Sequence, residues 1–124
     1  MTFKQALAHH LAAIQQRDLR GFRETVVQDE RLMVILPNGK VIQGFNDVLT
    51  FHTGWFNDQD WRLETKQISL VEGDSLSTAL LLVDYQDLNA DGEPYSMSYY
   101  LSLTFTFEQG KWLMLFDQNT LVSN

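Results

Sequence analysis

Helices first, then a curled antiparallel sheet: the sequence predicts an α+β fold, and three observations predict it. Apolar residues recur at helical spacing in the first sixteen positions and again between residues 45 and 56. Strand-like alternation takes over after Trp61 and holds almost to the end. Only short turn signals separate the segments, with no repeat, low-complexity stretch or linker, so the 124 residues read as one domain spanning 1–124.

Phe3, Leu7, Leu11 and Ile14, with Ala6 and Ala13 beside them, form one stripe on a helix from Phe3 to Gln16, and Thr2 is placed to cap it. Asp18 can cap a second, shorter helix that turns Leu19, Phe22 and Val26 inward, giving a helical hairpin hinged at Arg17-Asp18. The apolar run Leu32 to Leu36 enters Pro37-Asn38-Gly39, and Asn-Gly is a strong hairpin signal. The return strand, Lys40 to Gln43, is closed by Gly44. A third helix follows from about Asn46 to Phe56, with Phe45, Val48, Leu49, His52, Trp55 and Phe56 near one face.

Four long strands complete the chain: Trp61 to Val71, Leu76 to Asp87, Tyr95 to Phe107, and Trp112 to about Thr120. The third alternates most clearly, with Tyr95, Met97, Tyr99, Leu101, Leu103, Phe105 and Phe107 on one face and Ser96, Ser98, Tyr100, Ser102, Thr104 and Thr106 on the other. Long twisted strands curl, and the three amphipathic helices are available to cover the concave apolar face. A sheet closed in this way leaves an internal pocket at its open end.

Composition narrows the function. The apolar share of 44% and charged share of 20% are those of an ordinary globular protein. Without cysteine there are no disulfides, zinc thiolates or thiol nucleophiles. A net charge of -7 opposes binding to nucleic acid or to an anionic membrane. His9 and His10 interrupt any apolar leader, and no apolar run approaches the roughly 18 residues of a membrane span, so a cytoplasmic protein is expected. The three histidines show no metal-ligand spacing, and no Gly-rich phosphate loop or nucleophile elbow is present; no metal and no cofactor are expected.

One stretch imitates a metal site. Asp87-Leu88-Asn89-Ala90-Asp91-Gly92 matches the opening of a calcium-binding EF-hand loop. The twelfth position, where a bidentate Glu is required, is Ser98, and both flanks are strand-like. Asn, Asp and Gly are equally the residues of a hairpin turn, and a turn is expected here.

Several segments carry a family resemblance: Arg17-Asp18-Leu19-Arg20-Gly21, Pro37-Asn38-Gly39 followed by Gly44, and the ending from Gly110-Lys111-Trp112 through Phe116-Asp117-Gln118-Asn119-Thr120. In this order and spacing the chain resembles the nuclear transport factor 2-like superfamily, which includes ketosteroid isomerases, SnoaL-type polyketide cyclases and kinase association domains. The resemblance implies a cone-shaped fold with an internal pocket and, commonly, a homodimer through the outer face of the sheet. It also implies where a ketosteroid isomerase would keep its catalytic groups. The tyrosine position falls at or near His10, the base near Val34 to Leu36 and the acid at Leu103. Aliphatic side chains cannot abstract a proton, which argues against that reaction.

With the Leu103 face inward, the expected lining includes Ala79, Leu81, Val83, Tyr85, Met97, Tyr99 and Leu101. The helices add His10, His52, Trp55 and Phe56. On the last strand Trp112, Met114, Phe116 and Gln118 are taken as inward; both faces there are apolar, and Asp117 would be a candidate general base only in the opposite phase. Such a lining suits a small apolar or aromatic ligand held by one or two hydrogen bonds. Each polar member also has a purely structural reading: His52 as a hydrogen-bonded helix residue, Tyr85 and Tyr99 as core fillers with hydroxyls at the edge. His9 and His10, being adjacent on a helix, cannot share one cavity. On the outer face Leu80, Leu82, Tyr100, Ser102 and Thr104, with Thr106, make a mixed surface suited to a homodimer interface. The two functions that follow are small-molecule binding, with isomerase- or cyclase-type chemistry within its scope, and a non-catalytic dimerisation or interaction module.

Overall fold

The structure, a computed structural model, describes residues 1–123, which form three helices and six strands. Helix α1 (Phe3–Gln15) opens with a reciprocal cap: the Gln5 amide N–H donates to Thr2 Oγ1 at 3.1 Å, and the Thr2 N–H donates to Gln5 Oε1 at 2.9 Å. Arg17, with φ of 54°, turns the chain, and α2 (Leu19–Glu24) begins where Asp18 Oδ1 accepts from the Gly21 N–H at 3.0 Å. A β-carbon at Gly21 would lie 2.6 Å from Asp18 Oδ2, so this cap depends on glycine. Val26 lies beyond the end of α2, in an isolated bridge to Met114.

Strands β1 (Met33–Ile35) and β2 (Val41–Gln43) form the short hairpin around Gly39, whose φ is 87°. Helix α3 (Phe45–Asn57) follows Gly44. Then come β3 (Arg62–Glu72), β4 (Leu76–Leu88), β5 (Pro94–Glu108) and β6 (Lys111–Ser123). The EF-hand-like stretch is a hairpin turn. Asn89 Oδ1 accepts from the N–H groups of Asp91 and Glu93, and Gly92 takes a φ of 77°. Among the described residues no group of three or more His, Asp or Glu is placed to hold a metal ion, and no helix is long and apolar enough to cross a membrane.

The sheet order is β2-β1-β6-β5-β4-β3. It is mixed rather than purely antiparallel, because β1 joins β6 in parallel, Val34 opposite Asp117. Its concave face buries Ala79, Leu81, Val83, Leu101, Leu103 and Phe105 against α1 and α2. There Phe3 packs edge-on to Phe105, and Phe22 lies between His10 and His52. Arg17 ties the helical hairpin to the start of β3: its guanidinium lies 3.9 Å from the Trp61 ring centre, and its Nε donates to the Asp58 carbonyl at 3.0 Å.

One irregularity determines what the cavity contains. Phe105 pairs with Met114, yet the neighbouring Thr104 pairs with Phe116, so Leu115 is an extra residue in β6. Side chains alternate with a period of two, so one extra residue reverses the phase of everything beyond it. Met114 faces the core; after the bulge Asp117 and Asn119 face inward, and Gln118 is exposed. The strand also changes its outer partner here. Met114 exchanges backbone bonds with Thr25 and Val27, whereas Phe116 to Gln118 pair with β1.

Candidate functional site

A cavity of about 340 Å³ lies between the concave sheet and the helices. Leu11 and Ile14 come from α1, Phe51, His52 and Trp55 from α3, and Leu36, Pro37 and Asn38 from the β1–β2 turn. The sheet supplies Val83, Tyr85, Met97, Tyr99 and Leu101, and β6 adds Asp117, Asn119 and Leu121. Burial along β5 orients the cavity. Leu103 is fully buried opposite Asp117, Leu101 and Tyr99 are nearly so, and Tyr95 near the β4–β5 turn is 41% exposed. Asp117 therefore stands at the inner end and Tyr85 and Met97 towards the open one.

The structure places the residues expected at the pocket in three groups. His52, Trp55, Val83, Tyr85, Met97, Tyr99 and Leu101 border the cavity. His10, Phe56, Ala79, Leu81, Leu103, Trp112 and Met114 do not; they belong to the packing behind it, Trp112 half-buried against Phe3. Phe116 and Gln118 are excluded by the bulge, which turns them to the outer face, opposite Thr104 and Ser102. Leu80, Leu82, Tyr100, Ser102 and Thr104 lie half-buried or exposed on that outer face, while Thr106 is buried, its hydroxyl donating to Glu108. Asp117 and Asn119 occupy the positions that Phe116 and Gln118 were expected to fill.

His10 is enclosed. Thr25 Oγ1 donates to the Phe22 carbonyl at 2.8 Å, so its single hydrogen is spent and His10 Nδ1, 2.7 Å away, is the donor between them. The other ring nitrogen has no protein partner. Burial, reinforced by His52 and His9, lowers the pKa of His10 to about 3 and keeps it neutral. His52 Nδ1 donates to the Val48 carbonyl at 2.8 Å, leaving a lone pair on Nε2, and burial lowers its pKa to about 4.

Asp117 is 7% exposed with no cation beside it, and burial raises its pKa to about 7; the bond from Asn119 acts in the opposite direction. Asn119 Nδ2 donates to Asp117 Oδ1 at 3.0 Å and to the Ile35 carbonyl at 2.7 Å, which locks the carboxyl to the β1–β6 junction. The Tyr99 hydroxyl is held in its neutral form by burial and by the Asp117 charge. At the open end Tyr85 donates to Asp87 Oδ2 at 2.7 Å and accepts from Trp55 Nε1 at 3.2 Å; burial and Asp87 both raise its pKa. A carboxyl that titrates near neutral pH in a mostly apolar chamber can give or take a proton, which is the requirement for acid–base chemistry.

A mixed six-stranded sheet with helices on its concave face and a cavity between them is the architecture of this chain, and its family match places it in the nuclear transport factor 2-like class of α+β proteins. Within it, residues 4–118 match the SnoaL-like domain, and the chain belongs to that family. Among solved structures, a ketosteroid isomerase-like protein from Erwinia carotovora atroseptica has a TM-score of 0.82 at 13% identity, covering 98% of this chain and 94% of that one. An NTF-2 like protein of unknown function from Shewanella oneidensis has a TM-score of 0.75 at 18% identity, with 94% of each chain covered. The association domain of C. elegans CaMKII has a TM-score of 0.67 at 18% identity, covering 94% and 91%. These likenesses establish the fold. No curated protein matches the sequence.

Proposed function

We propose that this chain binds a small, largely apolar molecule in the cavity, with Asp117 as the group that exchanges a proton with it, in the manner of an isomerase or cyclase. The observation that carries the reading is Asp117 itself, a buried carboxyl without a counter-ion at the inner end of an apolar chamber. A hydrophobic core gains nothing from such a group, whose desolvation costs several kcal/mol when it is ionised. Acid–base chemistry of this kind needs no cofactor, and with a net charge of -7 neither nucleic acid nor an anionic membrane is a partner. The proposal takes the cytoplasm as the compartment, with which a chain without cysteine is compatible.

Native mass spectrometry of gently purified protein tests the reading. Extra mass that is lost on denaturation, and is absent from Asp117→Leu, is the expected result. Equal retention by wild type and variant would overturn the role of Asp117.

A second reading, homodimer formation through the outer sheet face, is favoured by the surface built from Leu80, Leu82, Tyr100, Ser102 and Thr104, and by the association domain among the structural relatives. The two readings are compatible, because the cavity and this surface lie on opposite faces of the sheet.

A further inference from the structure

We infer that the ligand is a small hydrophobic amine bound as its ammonium cation, with the nitrogen at Asp117 and the apolar body against Phe51, Trp55, Tyr85 and Tyr99. This rests on the proposal that the cavity is a ligand site, and adds the ligand's charge.

The hydrogen-bonding inventory is the first support. Asn119 directs its amide hydrogens to Ile35 and Asp117, which leaves its Oδ1 as an acceptor. His52 must carry its hydrogen on Nδ1, because the Val48 carbonyl can only accept; Nε2 therefore presents a lone pair. Asp117 Oδ2 takes no bond from the described residues, whose bond to the carboxyl goes to Oδ1. Asn119, His52 and Asp117 thus present acceptors, and the donors of the lining are the rotatable hydroxyls of Tyr99 and Thr65 and, in the exposed β1–β2 turn, the amide of Asn38, whose Oδ1 accepts from the Lys40 N–H. A ligand bearing a carbonyl or carboxylate adds more acceptors. An ammonium group supplies what is missing.

Charge points the same way. No Lys or Arg lines the cavity, and no cation acts on Asp117. Buried carboxylates are stable when paired, and a bound ammonium completes that pair. The aromatic faces suit the apolar body that follows the ion. Tyr85 lies 6.4 Å from both Trp55 and Tyr99, giving a continuous aromatic wall from the open end towards Asp117. The protonated Asp117 of acid–base chemistry and the ionised Asp117 of this pair are two states of one carboxyl: an entering free amine takes the Asp117 proton to become the ammonium, and an entering ammonium sends that proton to water.

Three probes on one skeleton separate the alternatives: phenethylamine as cation, 2-phenylethanol as neutral analogue and 3-phenylpropanoate as anion, each titrated by nuclear magnetic resonance near neutral pH. The amine is expected to bind about tenfold or more tighter than the alcohol, and the anion not at all. Asp117→Asn should remove the advantage of the amine, bringing the affinities of amine and alcohol within about threefold of each other. Asp117→Leu, matched to the aliphatic neighbours, serves if the amide disturbs the fold. Binding of the alcohol as tightly as the amine would overturn the inference and leave the ligand-site proposal standing. So would an advantage that survives both substitutions, which would mean attraction to the acidic surface. If none of the three binds, both proposals fall together.

Discussion

Burying a carboxyl without a cation favours its neutral form, and Asp117 meets that condition with one amide bond as partial relief. Its folded pKa of about 7 lies above an unfolded value of about 3.9, so the folded state holds the extra proton between the two. The stability that this confers is complete below about pH 4, declines as the pH rises towards 7 and is gone above it. Denaturant titrations of wild type and Asp117→Asn at a series of pH values should show the wild type losing a few kcal/mol relative to the variant over that window. A constant difference would mean that the carboxyl titrates normally. His10 and His52 act in the opposite sense. Their folded values, about 3 and about 4, are below 6.5, so the unfolded state takes up protons first and stability falls as the pH drops from about 6.5. His10→Phe should remove part of that acid loss, seen as a flatter melting temperature between about pH 6.5 and 4. Sequence spacing had assigned His10 to the pocket; the bond to Thr25 that holds it in the core joins residues fifteen apart and has no local pattern.

Among the elements, β4 and β5 were legible and β6 was not, for one physical reason. The first two alternate cleanly, so their inward faces follow from period two alone. Between Trp112 and Phe116 every side chain is apolar, which gives neither phase an advantage and hides the bulge at Leu115. The one signal was the polar pair Asp117 and Asn119, two apart and hence on one face, but their place inside depends on β6 exchanging Thr25–Val27 for β1 as its partner. Asn119 bridges that junction. Asn119→Ala should cost about 1–3 kcal/mol in urea denaturation, because the Ile35 carbonyl loses its side-chain donor. It should also raise the pKa of Asp117 further, readable from the carboxyl carbon shift. An unchanged carboxyl titration would show that Asn119 does not tune it.

For the whole molecule, the order of helices and strands could be read because each carries its own punctuation: the Thr2 cap, the Asp18 cap, the Asn38-Gly39 turn and the Asn89–Gly92 turn. The parallel β1–β6 contact could not, since it links distant segments through three residues of a short strand. Sheet order likewise decides which apolar residues remain outside. Leu82 pairs with Tyr100 across the outer face, and both retain exposure in the single chain. Leu82→Arg should convert a dimer to a monomer in light scattering while probe binding in the cavity is retained. A dimer unaffected by this change would move the interface elsewhere.

The bulge in β6 has a consequence for descent. Removal of the single codon for Leu115 would close the bulge and restore plain alternation, with Phe116 still opposite Thr104 and Asp117 still opposite Leu103. A lineage could thus lose or gain this codon by a three-nucleotide change and keep its carboxyl-floored chamber.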